Sequence, residues 1–287
     1  MDNHVLAWAA GFDGEGWAAA KERGVQARIN QAGPDGIPEV LLKFREIVGV
    51  GRIKGPVLEE GKQPLYFWEA TSLPDLTRVA DLIGPWMCPA KRAEFESALG
   101  IALPAAIWPG SMSEELAWAG GFFDGEGTTY LEKHRTHANH FYPALYVPQS
   151  ADEGTAPELL RLWAAIGFGS ISGLRRPKPP HRPYRRWRVV TVAKAQLALH
   201  LLWPFIGRVK RSQAQSVMKV IHTQPDLLRG NPAFGPAGSR YCLRGHDKWT
   251  ARIRPYRSRG RNLGPNDPHQ CLTCVRDAAR AKRNGMP

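Results

Sequence analysis

Two segments of this chain present the same pair of acids in the same setting. Leu6 to Gly16 reads Leu-Ala-Trp-Ala-Ala-Gly-Phe-Asp-Gly-Glu-Gly, and Leu116 to Gly127 reads Leu-Ala-Trp-Ala-Gly-Gly-Phe-Phe-Asp-Gly-Glu-Gly. Each is an apolar, small-residue stretch ending in two carboxylates. Helices packed through Ala and Gly faces approach closely, which would bring Glu15 and Glu126 side by side. A helix C-terminus carries partial negative charge, so an acid just beyond it attracts a cation. Two such acids near one axis repel and titrate as a coupled pair, a conflict that a divalent ion removes. Carboxylate oxygens of this kind suit Mg²⁺. One Asp-Gly-Glu-Gly alone would read as a turn with solvated acids; its recurrence argues for a site.

The elements that must position these acids are duplicated too. Val25–Gln31 and Ala144–Gln149 are alternating runs that both end in glutamine. Glu39–Ile53 and Glu158–Ile171 each read as an amphipathic helix stopped by glycine and followed by a strand. Leu65–Ala70 and Arg186–Thr191 read as strands, Leu76–Trp86 and Gln196–Phe205 as helices. Each copy is therefore expected to run helix, two strands, helix, two strands, helix, giving an α+β fold of two pseudo-symmetric αββαββα halves. Counting back from the acids sets Ala9 and Ala10 against Gly120 and Gly121. The extra Phe123 leaves one motif helix a residue shorter or in a different register.

Motif, element order and spacing together resemble the single-chain LAGLIDADG homing endonucleases, over residues 5 to about 222. The resemblance implies a monomer whose motif helices form the interface between half-domains and whose curved antiparallel sheets face the DNA major groove. It implies a first half-domain at 1–101, a linker at 102–113, a second half-domain at 114–229 and a linker at 230–240. It makes Glu15 and Glu126 the ligands of catalytic Mg²⁺, which would polarise a scissile phosphate and help to deprotonate the attacking water. Lys91 and Lys210, each following a Pro-aromatic step, match basic residues thought to activate water or steady phosphate charge. Gln31 and Gln149 match glutamines that order the water network. The implied activity is site-specific cleavage of both strands of a long, asymmetric double-stranded DNA target. A non-cleaving DNA- or RNA-binding relative, such as a transcription regulator or intron maturase, is the alternative, against which the retention of both acids argues.

Charge is uneven along the chain. Lys and Arg against Asp and Glu number 11 to 14 over residues 1–110, 16 to 9 over 111–239 and 12 to 3 over 240–287. Neutralisation of phosphate drives non-specific affinity, so the second half and the tail are expected to supply most of the grip. A basic, Pro-rich segment contributes Arg175, Arg176, Lys178, Arg182, Arg185, Arg186 and Arg188. With Arg28, Arg208 and Arg211 these are the candidate DNA contacts, Arg being suited to guanine edges and phosphates.

Residues 241–287 lie outside the repeat. Cys242, His246, Cys271 and Cys274 give C-x3-H followed by C-x2-C, a ligand set for structural Zn²⁺. So short a segment needs metal-linked folding, and its pattern resembles treble-clef or zinc-ribbon modules. A rival in which this module performs the chemistry lacks a second His-Asn pair. The remaining cysteine, Cys88, is expected to be buried. His134, His137 and His140 lack an accompanying carboxylate pattern and are read as a strand or loop over DNA. Cysteines clustered at metal spacing fit a reducing compartment. No apolar run approaches membrane-spanning length and the N-terminus lacks a signal-peptide pattern. The expected location is cytoplasmic, at the nucleoid when bound to DNA, with no membrane partner.

Overall fold

The computed structural model of the chain describes residues 2–12, 16–22, 24–133, 141–151, 154, 156–178 and 182–223, and the backbone of 253–255 and 269–271. It divides into two compact units: residues 1–130 with 143–217, and residues 131–142 with 218–287. The first repeat comprises α1 (Asn3–Phe12), β1 (Gly16–Lys21), β2 (Gly24–Ala32), α2 (Glu39–Val48), β3 (Arg52–Val57), β4 (Leu65–Ala70), α3 (Leu73–Ile83) and α4 (Pro89–Leu99). The second comprises α5 (Met112–Glu126), β5 (Thr128–Lys133), β6 (Phe141–Ser150), α6 (Pro157–Ile166), β7 (Ser170–Ile171), β8 (Tyr184–Val189), α7 (Val192–Leu202) and α8 (Arg208–Thr223). The tail contributes an antiparallel pair, β9 (Ile253–Pro255) with β10 (His269–Cys271). Among the described residues no helix is long and apolar enough to cross a membrane.

Two four-stranded sheets are ordered β1-β2-β4-β3 and β5-β6-β8-β7. Their registers repeat: Ala27 pairs with Ala70 and Gln31 with Tyr66, while Leu145 pairs with Val189 and Gln149 with Arg185. The two glutamines therefore hold the same place in their ladders. Ala27, Ile29, Trp68 and Ala70 in one sheet, and Leu145, Val147, Trp187 and Val189 in the other, are buried on the helix-covered face. Each half also needs a glycine at one bend. Gly51 and Gly169 have φ of +77° and +107°. They pass against the indoles of Trp68 and Trp187, which donate to Val50 O at 2.9 Å and Phe168 O at 3.1 Å.

Each half ends in two helices where the sequence pattern suggests one. In the first, a 3-10 turn at Gly84–Trp86 interrupts the path, because Pro85 lacks the N–H that a continuing helix requires. Pro89 then occupies the first turn of α4, where a missing N–H costs nothing. In the second, Pro204 falls in the corresponding break. These added helices carry Lys91 and Lys210.

The two halves meet along α1 and α5. A Cβ built on Gly11 would fall on the Trp118 carbonyl oxygen and 2.9 Å from Phe122 N; one on Gly121 would fall on the Trp8 carbonyl oxygen and 2.9 Å from Phe12 N. The contact is reciprocal, and it corrects the alignment counted back from the acids. Gly11 is equivalent to Gly121, and Trp8 to Trp118, so the extra Phe123 lies beyond the crossing. α1 is the shorter helix, 10 residues against 15. Backbone contact sets the register here, and neither helix can slide by a residue without placing a side chain in the seam.

Gly11→Ala and Gly121→Ala should therefore each lower stability by about 2 kcal/mol or more, since the new methyl meets backbone that cannot yield locally. Gly173→Ala, at a position open to space, should change it by less than about 0.5 kcal/mol. Urea unfolding of the three variants checks this.

Candidate functional site

The seam crosses near the ends of both motif helices. Gly11 is the penultimate residue of α1, and Gly121 stands five residues before the end of α5 at Glu126, about 7.5 Å at helical rise. Glu126 is half-buried at this tip. Glu15 lies outside the described residues. Among the described residues there is no group of three or more His, Cys, Asp or Glu placed to hold a metal.

The residue after each motif acid is marked by a lysine from the added helix of its own half. Lys91 Nζ donates to Gly16 O, and Lys210 Nζ donates to Gly127 O. The two lysines thus occupy equivalent positions, as the sequence suggested. Their surroundings differ: Lys91 also pairs with Glu94 at 3.1 Å, where the second half has Gln213. A cleft of about 380 Å³ beside Gly11 and Phe122 is lined by Lys91 and Glu94 from the first half and by Gln149 and Glu158 from the second. It draws together two of the expected residues from opposite repeats.

Three further charged groups surround the seam: Asp124, the first acid of the second motif, and two cations outside the motifs, Lys43 and Arg161. Asp124, two residues before Glu126, is buried, and both its oxygens accept from Gly207 N–H at 2.8 Å, at the entry to α8. Burial pushes its carboxyl up to about 6, opposed by the Gly207 bond and by Lys43 and Lys210. Lys43 on α2 lies 3.5 Å from the Trp8 ring centroid, and burial holds its ammonium below the usual range. At the equivalent place on α6, Arg161 lies 4.3 Å from the Trp118 ring centroid. It is 1% exposed, donates to Glu115 at 2.8 and 2.9 Å, and reaches across to Trp86 O at 2.5 Å. One buried guanidinium thus ties the start of α5 to the break between α3 and α4. Its sequence signal is slight: a cation between Leu159 and Leu162 on an otherwise apolar stripe. Cys88 is buried, as expected, and its thiol is pushed up to about 12 by burial.

The outer faces of the sheets carry cations over aromatic rings. On the first, Arg28 lies 3.4 Å from the Phe67 centroid and donates to Asn30 at 2.8 Å. On the second, Arg186 and Arg188 lie 4.5 and 5.4 Å from the Tyr146 centroid. Arg176, Lys178 and Arg182 are exposed between β7 and β8, and Arg175 bridges backbone to backbone with Tyr184. Arg185 shares the strand face of Trp187 and donates to Gly154 O at 2.8 Å and Ser172 O at 3.3 Å. Arg208 is exposed at the start of α8, 3.8 Å from Glu39. Arg211 donates to Trp203 O at 3.0 Å. Cys242, His246 and Cys274, like His134, His137 and His140, lie outside the described residues; Cys271 ends β10, opposite Ile253.

This is the LAGLIDADG fold: two motif helices at the centre, flanked by two antiparallel four-stranded sheets. It is similar to the LAGLIDADG meganuclease I-AabMI bound to uncleaved DNA, with a TM-score of 0.55 and 16% identity over 79% of this chain and 92% of that one. It is likewise similar to the LAGLIDADG meganuclease I-CpaMI bound to uncleaved DNA, with a TM-score of 0.53 and 14% identity over 79% and 94%. No family model and no curated protein matches the chain.

Removing one partner of the Arg161–Glu115 pair strands a buried charge, which costs about 3–5 kcal/mol. Glu115→Ala should show a loss of that order in urea unfolding. Replacing both partners, as Glu115→Leu with Arg161→Met, should recover most of it. Loss of less than about 1 kcal/mol in the single variant would mean that the clamp contributes little.

Proposed function

We propose that the chain is a site-specific double-strand DNA endonuclease, hydrolysing phosphodiester bonds with divalent cations held between the motif acids. The observation that carries the reading is the matched pair of lysines, Lys91 on Gly16 O and Lys210 on Gly127 O. Each is fixed to the backbone immediately after a motif acid, beside a seam that admits no side chain. Cationic outer sheet faces and the likeness to two meganucleases bound to DNA add support.

In this mechanism Glu15 and Glu126 hold Mg²⁺, for which carboxylate oxygens at a negative helix end are suitable donors. When bound, the cations supply Lewis-acid stabilisation and a more acidic water. Gln31 and Gln149 orient the attacking water, whose oxygen bonds to phosphorus as the P–O bond to the leaving alkoxide breaks. Lys91 and Lys210 steady the charge that gathers on the phosphoryl oxygens. Arg28, Arg186 and Arg188 meet base edges or phosphates in the groove. Cys242, His246, Cys271 and Cys274 hold structural Zn²⁺ in a basic module that adds affinity.

Digestion of a plasmid library with the full chain and Mg²⁺ should give discrete cuts that vanish in Glu15→Gln and Glu126→Gln, while duplex binding persists. Lys91→Met and Lys210→Met should each slow cutting by about a hundredfold or more, the scale for loss of one charge-stabilising group. Binding without cuts in the wild type would instead mark a DNA-binding protein. Elemental analysis should find about one zinc per chain, lost in Cys242→Ser with Cys274→Ser.

A further inference from the structure

Alternation along β2 places Arg28 and Asn30 on the outer face of the first sheet, since Ala27 and Ile29 are buried on the opposite one. The Arg28 guanidinium is fixed there at its edge and at its face. Its Nε donates to Asn30 Oδ1 at 2.8 Å, and its Cζ lies 3.4 Å from the centroid of the Phe67 ring. Phe67 is the ladder partner of Asn30, so the two supports come from adjacent strands at one level of the sheet. With the guanidinium over it, the ring is only 8% exposed although it stands on the outer face. Glu69, across the ladder from Arg28, accepts from Lys54 at 2.6 Å and from Gln26 at 3.2 Å. Lys54 chiefly, and Arg28 through space, hold that carboxyl below its usual range. Among the described residues, the two terminal nitrogens of Arg28 make no hydrogen bond.

The ladder also fixes where on the sheet this arginine stands. Gly16, the residue after the first motif acid, pairs with Ile29, and Trp17 pairs with Arg28. Arg28 and Asn30 thus flank the rung whose carbonyl, Gly16 O, takes Lys91. A strand advances about 3.4 Å per residue, which is also the rise of DNA per base pair. Arg28 therefore stands within about two or three base-pair steps of the cut that the proposed reading assigns to Glu15 and Lys91.

We infer that Arg28 reads a guanine in the innermost base pairs of the first half-site, and that Asn30 and Phe67 are its positioning residues. The inference rests on the endonuclease reading insofar as the first sheet faces DNA. A guanidinium carries five N–H donors in a planar fork. Asn30 takes the one on Nε and the Phe67 ring sets the plane, which leaves the donors of Nη1 and Nη2 in a settled orientation. In the major groove such a fork matches the paired acceptors O6 and N7 of guanine, whereas adenine sets a donor beside its N7. Supports on the edge and the face of one guanidinium lower the freedom that an edge-on base contact would otherwise cost. Phosphate accepts the same fork, and the two kinds of contact differ in what the variants lose.

The test uses the full chain with two probes: a randomised duplex library from which bound sequences are enriched, and the enriched duplex itself titrated over a range of salt. The wild type should prefer one guanine, in the inner part of one half of the motif, by about tenfold or more over the other bases. Arg28→Gln should abolish that preference while leaving the slope of log affinity against log salt nearly unchanged, because contacts to base edges release no phosphate counterions. Asn30→Ala should weaken preference at the same pair, and Asn30→Asp, which still accepts from Nε, should keep it. Phe67→Leu should weaken it likewise, and Phe67→Tyr, which retains a ring face, should not. A purely structural role for Asn30 and Phe67 would not single out one base pair. Arg28→Gln that instead lowers the salt slope by about 0.9 and leaves every base preference intact would mark a phosphate contact and overturn the assignment. A wild-type motif without such a guanine overturns it as well. A wild type that does not bind the library in a salt-dependent way would refute the DNA reading itself, a separate failure.

Discussion

Backbone contact between α1 and α5, with Gly11 against Trp118 and Gly121 against Trp8, leaves no space for a side chain between the two repeats. Everything near the candidate site is referred to that contact. α5 carries Glu126 at its end, the tryptophans whose carbonyls take the contact also support Lys43 and Arg161 on their rings, and Phe12 and Phe122 stack beneath them. Because side chains offer adjustable separations and backbone does not, the spacing at this point is set by the closest approach of two polypeptide chains. That is the kind of constraint a metal site needs, since its donors must be held to fractions of an ångström.

Around this symmetric centre the charges are not symmetric. Arg161 has Glu115 and the Trp86 carbonyl, whereas Lys43 has Trp8 and a more distant relation to Asp124. Lys91 has Glu94, and Gln213 stands where its counterpart would be. Shape was retained across the duplication while electrostatics diverged, as expected when packing tolerates few substitutions and surface or site charges tolerate more.

Much of this was readable in the residues themselves. The repeated motif, the glycine-stopped helices at Gly49 and Gly167, the strands ending in Gln31 and Gln149, and the pairing of Lys91 with Lys210 all follow local patterns of capping, alternation and spacing. What the pattern missed was non-local. The equivalence of Gly11 with Gly121 depends on which backbone atoms meet, and counting from the acids shifts it by one residue. Two prolines, Pro85 and Pro89, split what periodicity suggested was a single closing helix. Arg161 is a charged residue inside an apolar run and Asp124 stands beside the motif acid, and their roles depend on partners 46 and 83 positions away.

The reciprocal form of the seam is that of a two-fold contact between identical subunits, here made within one polypeptide. Residues 100–111 join the halves and are themselves strapped down, with Ile107 N–H donating to Pro85 O at 2.8 Å and Arg92 gripping Pro104 O at 2.8 Å. An association that would depend on encounter between separate molecules is thereby converted into an internal one, and dilution does not take the halves apart. The same covalent join releases the two outer faces from having to be identical, so that Arg28 stands on one sheet where the other has Tyr146 at the equivalent ladder position.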